Sequence, residues 1–400
     1  MVQSKLEYET LKFEDNKENI KVVLLRYFYF EFPKLELDFD VKIKDGILYS
    51  EASQSRLDNK FSKILTNGLN NLKSSLTGKS VVYIHRNSGI PLIGHNAFGI
   101  IDRNTSLIEI KPITGCNLNC VFCSVDEGKD SRKVADYVIE KDYLVEELKK
   151  LIQFKDSDDI EINIGTNGEP LLYADTIPLI SDLKEIKQIK RISINTNGTL
   201  LTEKTIDELK QAGLTQINLS LNALDKDLAS KLCGAAYNLE YITKVAKYAA
   251  KIMDIIIAPV WVPGLNDKEM PKLIEFGKKI GAKYVAIQNF LSYKLGRNPA
   301  KQKSWDNFYA ELKQFENEYG MKLIFNAADF QIKKTKSLPN PFKKGEKIKL
   351  KLITLGRQKN EKLATAKGRV ISIITNSSIG KDIKTEVVRT KHNIIVAKEI

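Results

Sequence analysis

The chain has 400 residues, 42% of them hydrophobic, with 63 basic and 50 acidic side chains and a net charge of +13. That length leads us to expect two or three domains with ordinary cores. No apolar run reaches the ~18 residues of a membrane span, and the start, MVQSKLEYETLKFEDNKENI, carries charges of both signs, unlike a signal peptide. A soluble, cytoplasmic protein with reduced thiols is expected; four cysteines in 400 residues are no disulfide framework.

Residues 1–105 read as a small α+β domain, a lid or packing module. Residues 21–30 (KVVLLRYFYF) and 41–50 (VKIKDGILYS) read as strands, the second broken by an Asp45-Gly46 turn. Residues 56–76 have helical spacing, with Leu57, Phe61, Ile64, Leu65 and Leu69 on one face. Residues 80–84 and 97–101 are further strands. His85 and His95 lie beside apolar strands and read as structural histidines.

From residue 106 the pattern becomes rhythmic. Strands are expected at 106–112 (SLIEIKP), 159–165 (DIEINIG), 191–195 (RISIN), 216–221 (QINLSL), 255–261 (IIIAPVW) and 283–288 (KYVAIQ). Helices are expected between them, at 143–154, 175–186, 202–212, 225–231, 240–251 and 267–280. Six alternations at βαβ spacing predict a parallel sheet, with strands apolar on both faces. Six units fall short of the eight of a closed barrel. The expected fold class is therefore α/β, a partial (β/α)6 TIM-like barrel over 106–330.

The loop after the first strand reads Gly115-Cys116-Asn117-Leu118-Asn119-Cys120-Val121-Phe122-Cys123. Three thiolates this close can hold three irons of a cubane iron–sulfur cluster. The only other cysteine, Cys233, lies 110 residues downstream of Cys123, so the fourth iron has no nearby protein ligand in the sequence. An iron without a protein ligand is a corner where a small molecule can chelate. A zinc site would want four ligands, often in two close pairs, and no histidine flanks the triplet.

The C-x3-C-x2-C spacing, with aromatic Phe122 before the last cysteine, resembles the signature of the radical S-adenosylmethionine (radical SAM) enzymes. The resemblance extends from about Ser106 to Phe290. It implies a [4Fe-4S] cluster on Cys116, Cys120 and Cys123, with SAM chelating the open iron. One electron then cleaves SAM to methionine and a 5′-deoxyadenosyl radical, which takes a hydrogen atom from the substrate. Chemistry in such folds sits at the carboxyl ends of the strands, and polar turn-forming residues collect there. Asn167, Gly168 and Glu169 match the family's Gly-Gly-Glu-Pro segment beside the SAM amino group, with Asn167 replacing the first glycine. Thr166 begins that segment. Asn195, Thr196 and Asn197 match contacts to ribose or carboxylate, Ser220 and Asn222 a polar strand end near the ribose, and Val260 an apolar shelf for adenine. Phe122 is expected near the cofactor.

The charged stretch at 124–132 offers Asp126 and Arg132 as candidates for substrate or SAM contact, and Cys233 offers a third candidate catalytic group. With the preceding PLIGHNAFGIIDRNT, this stretch resembles an archaeal-type subgroup of predicted Fe–S oxidoreductases. A helix at 305–319, a strand at 321–325 and a Lys/Pro-rich linker at 331–341 follow.

Residues 331–400 hold 18 basic and 5 acidic residues, which leaves 45 of each sign before them. A neutral body with a basic appendage points to a polyanion partner. Residues 342–400 alternate as short strands, at 347–354, 364–375, 384–389 and 393–397, and predict a small OB-like β-barrel. The run Gly345-Glu346 … Lys367-Gly368-Arg369-Val370 … Gly380 resembles the TRAM domain, although Leu355-Gly356-Arg357-Gln358 stands where that domain has Gly-Arg-Gly. The resemblance implies RNA binding, with Lys343, Lys344, Arg357, Lys367 and Arg369 as candidate phosphate contacts.

The expected function is radical SAM modification of RNA, tRNA or rRNA, with an electron donor such as a ferredoxin or flavodoxin. The cysteine count disfavours methylthiolation, which needs three further cysteines for a second cluster. Two alternatives are a radical SAM enzyme acting on a peptide or small metabolite, and a non-catalytic RNA-binding protein with a redox-sensing cluster.

Overall fold

The computed structural model describes residues 4–165 and 167–400; Thr166, the first residue of the segment matched to Gly-Gly-Glu-Pro, lies outside them. Its centre is a sheet of six parallel strands in chain order: Leu107–Lys111 (β1), Ile160–Ile164 (β2), Ile189–Thr196 (β3), Gln216–Leu219 (β4), Asp254–Ile257 (β5) and Tyr284–Val285 (β6). Gly99–Asp102 closes the β1 edge antiparallel, so this strand belongs to the half-barrel and not to an N-terminal domain.

Register explains how the sheet is held. Ile110, Ile164, Ile194, Ile217 and Ile255 lie side by side across β1 to β5, each no more than 1% exposed. Burying such a side chain contributes about 2 kcal/mol. Helices Lys141–Lys155, Thr176–Lys184, Glu203–Ala212, Leu239–Ile252 and Glu269–Ile280 cover this face with residues such as Leu148, Ile180, Leu209, Val245 and Leu273. Thr202 caps the third of these by accepting from the Thr205 amide at 2.9 Å. The other face corrects the expectation of strands apolar on both sides. Glu109, Asn163, Asn195 and Asn218 alternate with the isoleucines, and the three asparagine amides interlock. Asn163 and Asn195 exchange two bonds of 3.1 Å, and Asn218 donates to Asn195 at 2.7 Å. The concave face can stay polar because the covering helices pack on the isoleucine face.

The N-terminal part holds a six-stranded sheet ordered Ala135–Ile139, Ser80–Ile84, Lys73–Ser74, Phe28–Pro33, Asn19–Leu24, Leu11–Asn16. The single strand expected at 21–30 is a hairpin, because Leu25 and Arg26 take left-handed conformations (φ 50° and 72°). Asp45-Gly46 turns as expected between Val41–Lys44 and Ile47–Ser50. The helix is Gln54–Leu69, ending before Lys73–Ser74. Ala135–Ile139, which lies beyond the cysteine loop, pairs parallel with Ser80–Ile84. Residues 321–325 form no strand; the Leu323 and Ile324 amides both donate to the Glu316 carboxylate instead.

The linker lies against the amino end of β1. Ser106 donates to the Lys333 carbonyl at 2.8 Å, and Thr335 to that of Asn104 at 3.0 Å. The C-terminal part is a six-stranded sheet ordered Lys347–Lys351, Asp382–Arg389, Val396–Glu399, Arg369–Ile374, Glu361–Ala366, Thr354–Leu355. Residues 364–375 are again a hairpin, turning at Lys367-Gly368 (φ 49° and 68°). Phe342, Leu352, Ile371, Val387 and Ile395 form its own core. Val370 donates to the Ile93 carbonyl and Ile395 to that of Gly94. A Cβ on Gly94 would come within 2.0 Å of the Val370 oxygen, so only glycine permits this contact. Among the described residues no helix is long and apolar enough to cross a membrane.

Candidate cluster and cofactor site

The cysteine loop is built between fixed supports. Before it, Thr114–Gly115 pairs with Asn167–Gly168, and Glu169 donates its amide to the Gly115 carbonyl at 2.9 Å. Gly168 (φ 146°) lies so close that a Cβ would meet the Gly115 oxygen at 1.9 Å. Behind it, Asn119 and Val121 donate to the carbonyls of Cys233 and Leu232, and a Cβ on Gly234 would strike the Asn119 oxygen at 2.2 Å. Beside it, Arg297 donates its amide to the Cys123 carbonyl at 2.9 Å and its guanidinium to that of Cys120 at 3.0 Å.

The donor set fits the expected cluster. The three thiols are half-buried on one loop, and the amides of Leu118 and Glu127 point at the Cys116 and Cys123 sulfurs (3.4 and 3.3 Å). Such bonds tune bound clusters. Phe122 is buried behind them. Among the described residues no three acidic, histidine or cysteine groups converge on a single-ion site; a cubane spreads its ligands over separate irons. When bound, the cluster and SAM would supply the one-electron cleavage; this chain's residues hold and orient them.

Sequence distance misleads at Cys233. The fold sets it, buried, behind the cysteine loop, where its carbonyl accepts from the Asn119 amide at 2.9 Å; Cys233 and burial together push the Cys120 thiol well up.

The strand ends converge on the loop as expected. Asn197 donates to Asn117 at 3.0 Å and points at the Cys116 sulfur at 3.9 Å. Glu169 is buried; its carboxylate accepts from the Leu171 amide, the Thr196 hydroxyl and the Asn197 amide at 3.1, 2.7 and 2.8 Å, and burial pushes it up to about 7. Its side chain therefore ties the ends of β2 and β3 together. Asn222 is likewise occupied: it accepts from the Val260 amide at 2.9 Å and donates to the Ser220 carbonyl. Asn195 is exposed on the concave face. Lys111, absent from the expected site, ends β1. It is buried and donates to Asn167 and the Asn96 carbonyl, each at 3.0 Å. A lysine at the inward position of a strand's carboxyl end was the available signal.

Asp126 is buried between Arg132 and Arg297 (3.0 and 2.9 Å), which makes it a brace for the cysteine loop. Arg357 corrects the expected phosphate contacts. It is 3% exposed, and its guanidinium bonds Glu127, Asp136 (2.7 Å), Thr114 (3.0 Å) and the Ala135 carbonyl. Buried and held by two carboxylates, it fastens the C-terminal sheet to the loop instead of facing solvent. Lys367 pairs with Glu346 at 2.7 Å, and Arg369 bonds the Pro339 carbonyl and Asn393. Lys343 and Lys344 are exposed. So are Lys347, Lys349, Lys351 and Lys384, with Lys349 directly opposite Lys384. The alternation KIKLK carried that signal. His95 is buried, stacked on Phe98, and 3.6 Å from Glu361, as a structural histidine.

Comparison with known proteins agrees with this geometry. Residues 110–277 match the model of the Radical SAM superfamily. The chain is 38% identical to "Uncharacterized protein MJ0103" of Methanocaldococcus jannaschii, over 98% of both chains. It is 31% identical to the GTP 3′,8-cyclase of Listeria welshimeri over 43% of this chain and 50% of that one, so the chain spans about half of that relative's length. A solved structure of TYW1 with a lysine-pyruvate adduct bound superposes with a TM-score of 0.42 and 19% identity, covering 58% of this chain and 80% of that one. The cysteine loop and strands β2 to β5 of the half-barrel lie within the matched stretch, so residues 110–277 form a Radical SAM superfamily domain, a family whose cofactors are a [4Fe-4S] cluster and S-adenosylmethionine.

Proposed function

We propose that this radical SAM enzyme modifies RNA, tRNA or rRNA, with the half-barrel generating the radical and the C-terminal sheet gripping phosphates. The observation that carries the reading is the basic C-terminal sheet fastened by Arg357 to the loop of the cluster cysteines. Its strand order, with Arg369–Ile374 and Val396–Glu399 parallel, supports the OB-like, TRAM-type assignment. Lys349 opposite Lys384 is a like-charge pair, which costs stability unless an anion lies across it. The concave carboxamides of Asn163, Asn195 and Asn218 suit the hydrogen-bonding edge of a nucleobase.

Mass spectrometry of nucleosides from cells lacking the gene tests this. One modified nucleoside should disappear from tRNA or rRNA. An unchanged nucleoside profile would favour a second reading, in which the same carboxamides bind a free nucleotide. The likeness to GTP 3′,8-cyclases favours that reading over a peptide.

A further inference from the structure

After β6, residues 290–304 cross the back of the cysteine loop. Arg297 donates to the carbonyls of Cys123 and Cys120. Gly296 lies flat on Ser124, where a Cβ would come within 2.8 Å of the carbonyl oxygen. From the stretch after the cluster, Arg132 reaches the carbonyls of Leu295 and Gly296, both at 3.2 Å. One layer of chain therefore stands between the cysteines and solvent on this side.

That layer is an unusual surface. Tyr293 and Leu295 are each 51% exposed. Residues 129–133 and 292–301 carry six cations and one carboxylate, Asp130; Arg132 and Arg297 pair with the buried Asp126, which leaves Lys129, Lys133, Lys294 and Lys301 against Asp130. Asp126 and Glu127, behind them, are buried. Two exposed apolar side chains on either side of Lys294, in segments with a net positive charge, suit a small, transient electron-transfer contact, where interfaces stay below about 1,200 Å² and charge governs encounter.

We propose that this face docks an acidic one-electron donor protein of the flavodoxin or ferredoxin class. One electron leaves the donor, which is oxidised by one unit, and enters the cluster across the Gly296–Arg297 backbone; no bond forms or breaks between the partners. The inference rests on the cluster assignment and is independent of the RNA substrate.

Flavodoxin is the probe. Calorimetric titration of oxidised flavodoxin into the full-length anaerobic protein at low salt should give a complex that high salt weakens. In the variant Lys294→Glu/Leu295→Ser, affinity should fall at least tenfold and reduction by flavodoxin hydroquinone should slow as much. Reduction by dithionite and tRNA affinity should both be unchanged. Should that variant also lose dithionite reduction, Tyr293→Ser, which leaves the backbone at 296–297 intact, decides by the same readouts. The proposal is overturned if the wild-type protein binds neither flavodoxin nor ferredoxin, or if the variant is bound and reduced by flavodoxin like the wild type. It is also overturned if the variant loses tRNA affinity and keeps flavodoxin, since the face would then belong to RNA.

Discussion

Glu169 is where the ends of two strands are tied, and its ionisation should be visible in stability. Its ordinary value of 4.5 is pushed up to about 7 by burial, against three donated hydrogen bonds. A raised carboxyl favours the folded state fully below about pH 4.5, and that contribution is lost as pH rises through about 7. Urea unfolding between pH 5 and 8 should show this decline, and Glu169→Gln should flatten it. Glutamine must turn an amide toward one of the three donors, so the variant should also lose about 1–3 kcal/mol at neutral pH. The cysteines separate by a simpler measurement. Cys116→Ser, Cys120→Ser and Cys123→Ser should each abolish the reconstituted cluster's visible absorption, whereas Cys233→Ala should keep both that absorption and its change on adding SAM. Loss of the cluster in Cys233→Ala would make Cys233 a fourth ligand and close the corner assigned to SAM.

Among the elements, the junction at Arg357 is the most sensitive. Replacing it with methionine leaves Glu127 and Asp136 buried without their cation, which costs about 3–5 kcal/mol. Denaturation should show that loss, and Glu127→Gln with Asp136→Asn in the same chain should restore much of it. The sequence made the βα rhythm legible because helix and strand periods differ and each unit is local. It also pointed to the strand-end residues, since turn-forming polar groups stand out after apolar runs. The hairpin at Leu25-Arg26 was hidden, because the flanking runs are largely apolar and leucine and arginine are poor turn signals, whereas the one at Lys367-Gly368 carried its signal in the glycine. The polar concave face was written in the alternation of IEINI and QINL, which the rule for parallel strands buried on both faces obscured. Arg357 read as a surface cation because its partners lie 221 and 230 residues away.

At the scale of the molecule, the N-terminal sheet, the half-barrel and the C-terminal sheet all close on one loop. Lys79 reaches Gly128 from the first, Arg297 reaches Cys120 from the second, and Arg357 reaches Glu127 from the third. Deleting residues 343–400 would therefore disturb the cluster as well as any RNA contact. Charge reversal is the cleaner test. Lys347→Glu/Lys349→Glu/Lys384→Glu should weaken tRNA binding and lower the slope of log affinity against log salt by about 0.9 for each lysine that meets a phosphate, while leaving the cluster spectrum intact. An unchanged slope would remove RNA from this surface.

The central claim is that three cysteines hold a cluster whose remaining corner takes SAM. The most direct measurement is product analysis of the anaerobically reconstituted, full-length protein with dithionite and SAM. Release of 5′-deoxyadenosine, abolished by Cys120→Ser, is the predicted result. A protein that binds zinc in place of the cluster, or a reduced cluster that releases no 5′-deoxyadenosine and whose spectrum ignores added SAM, would contradict it.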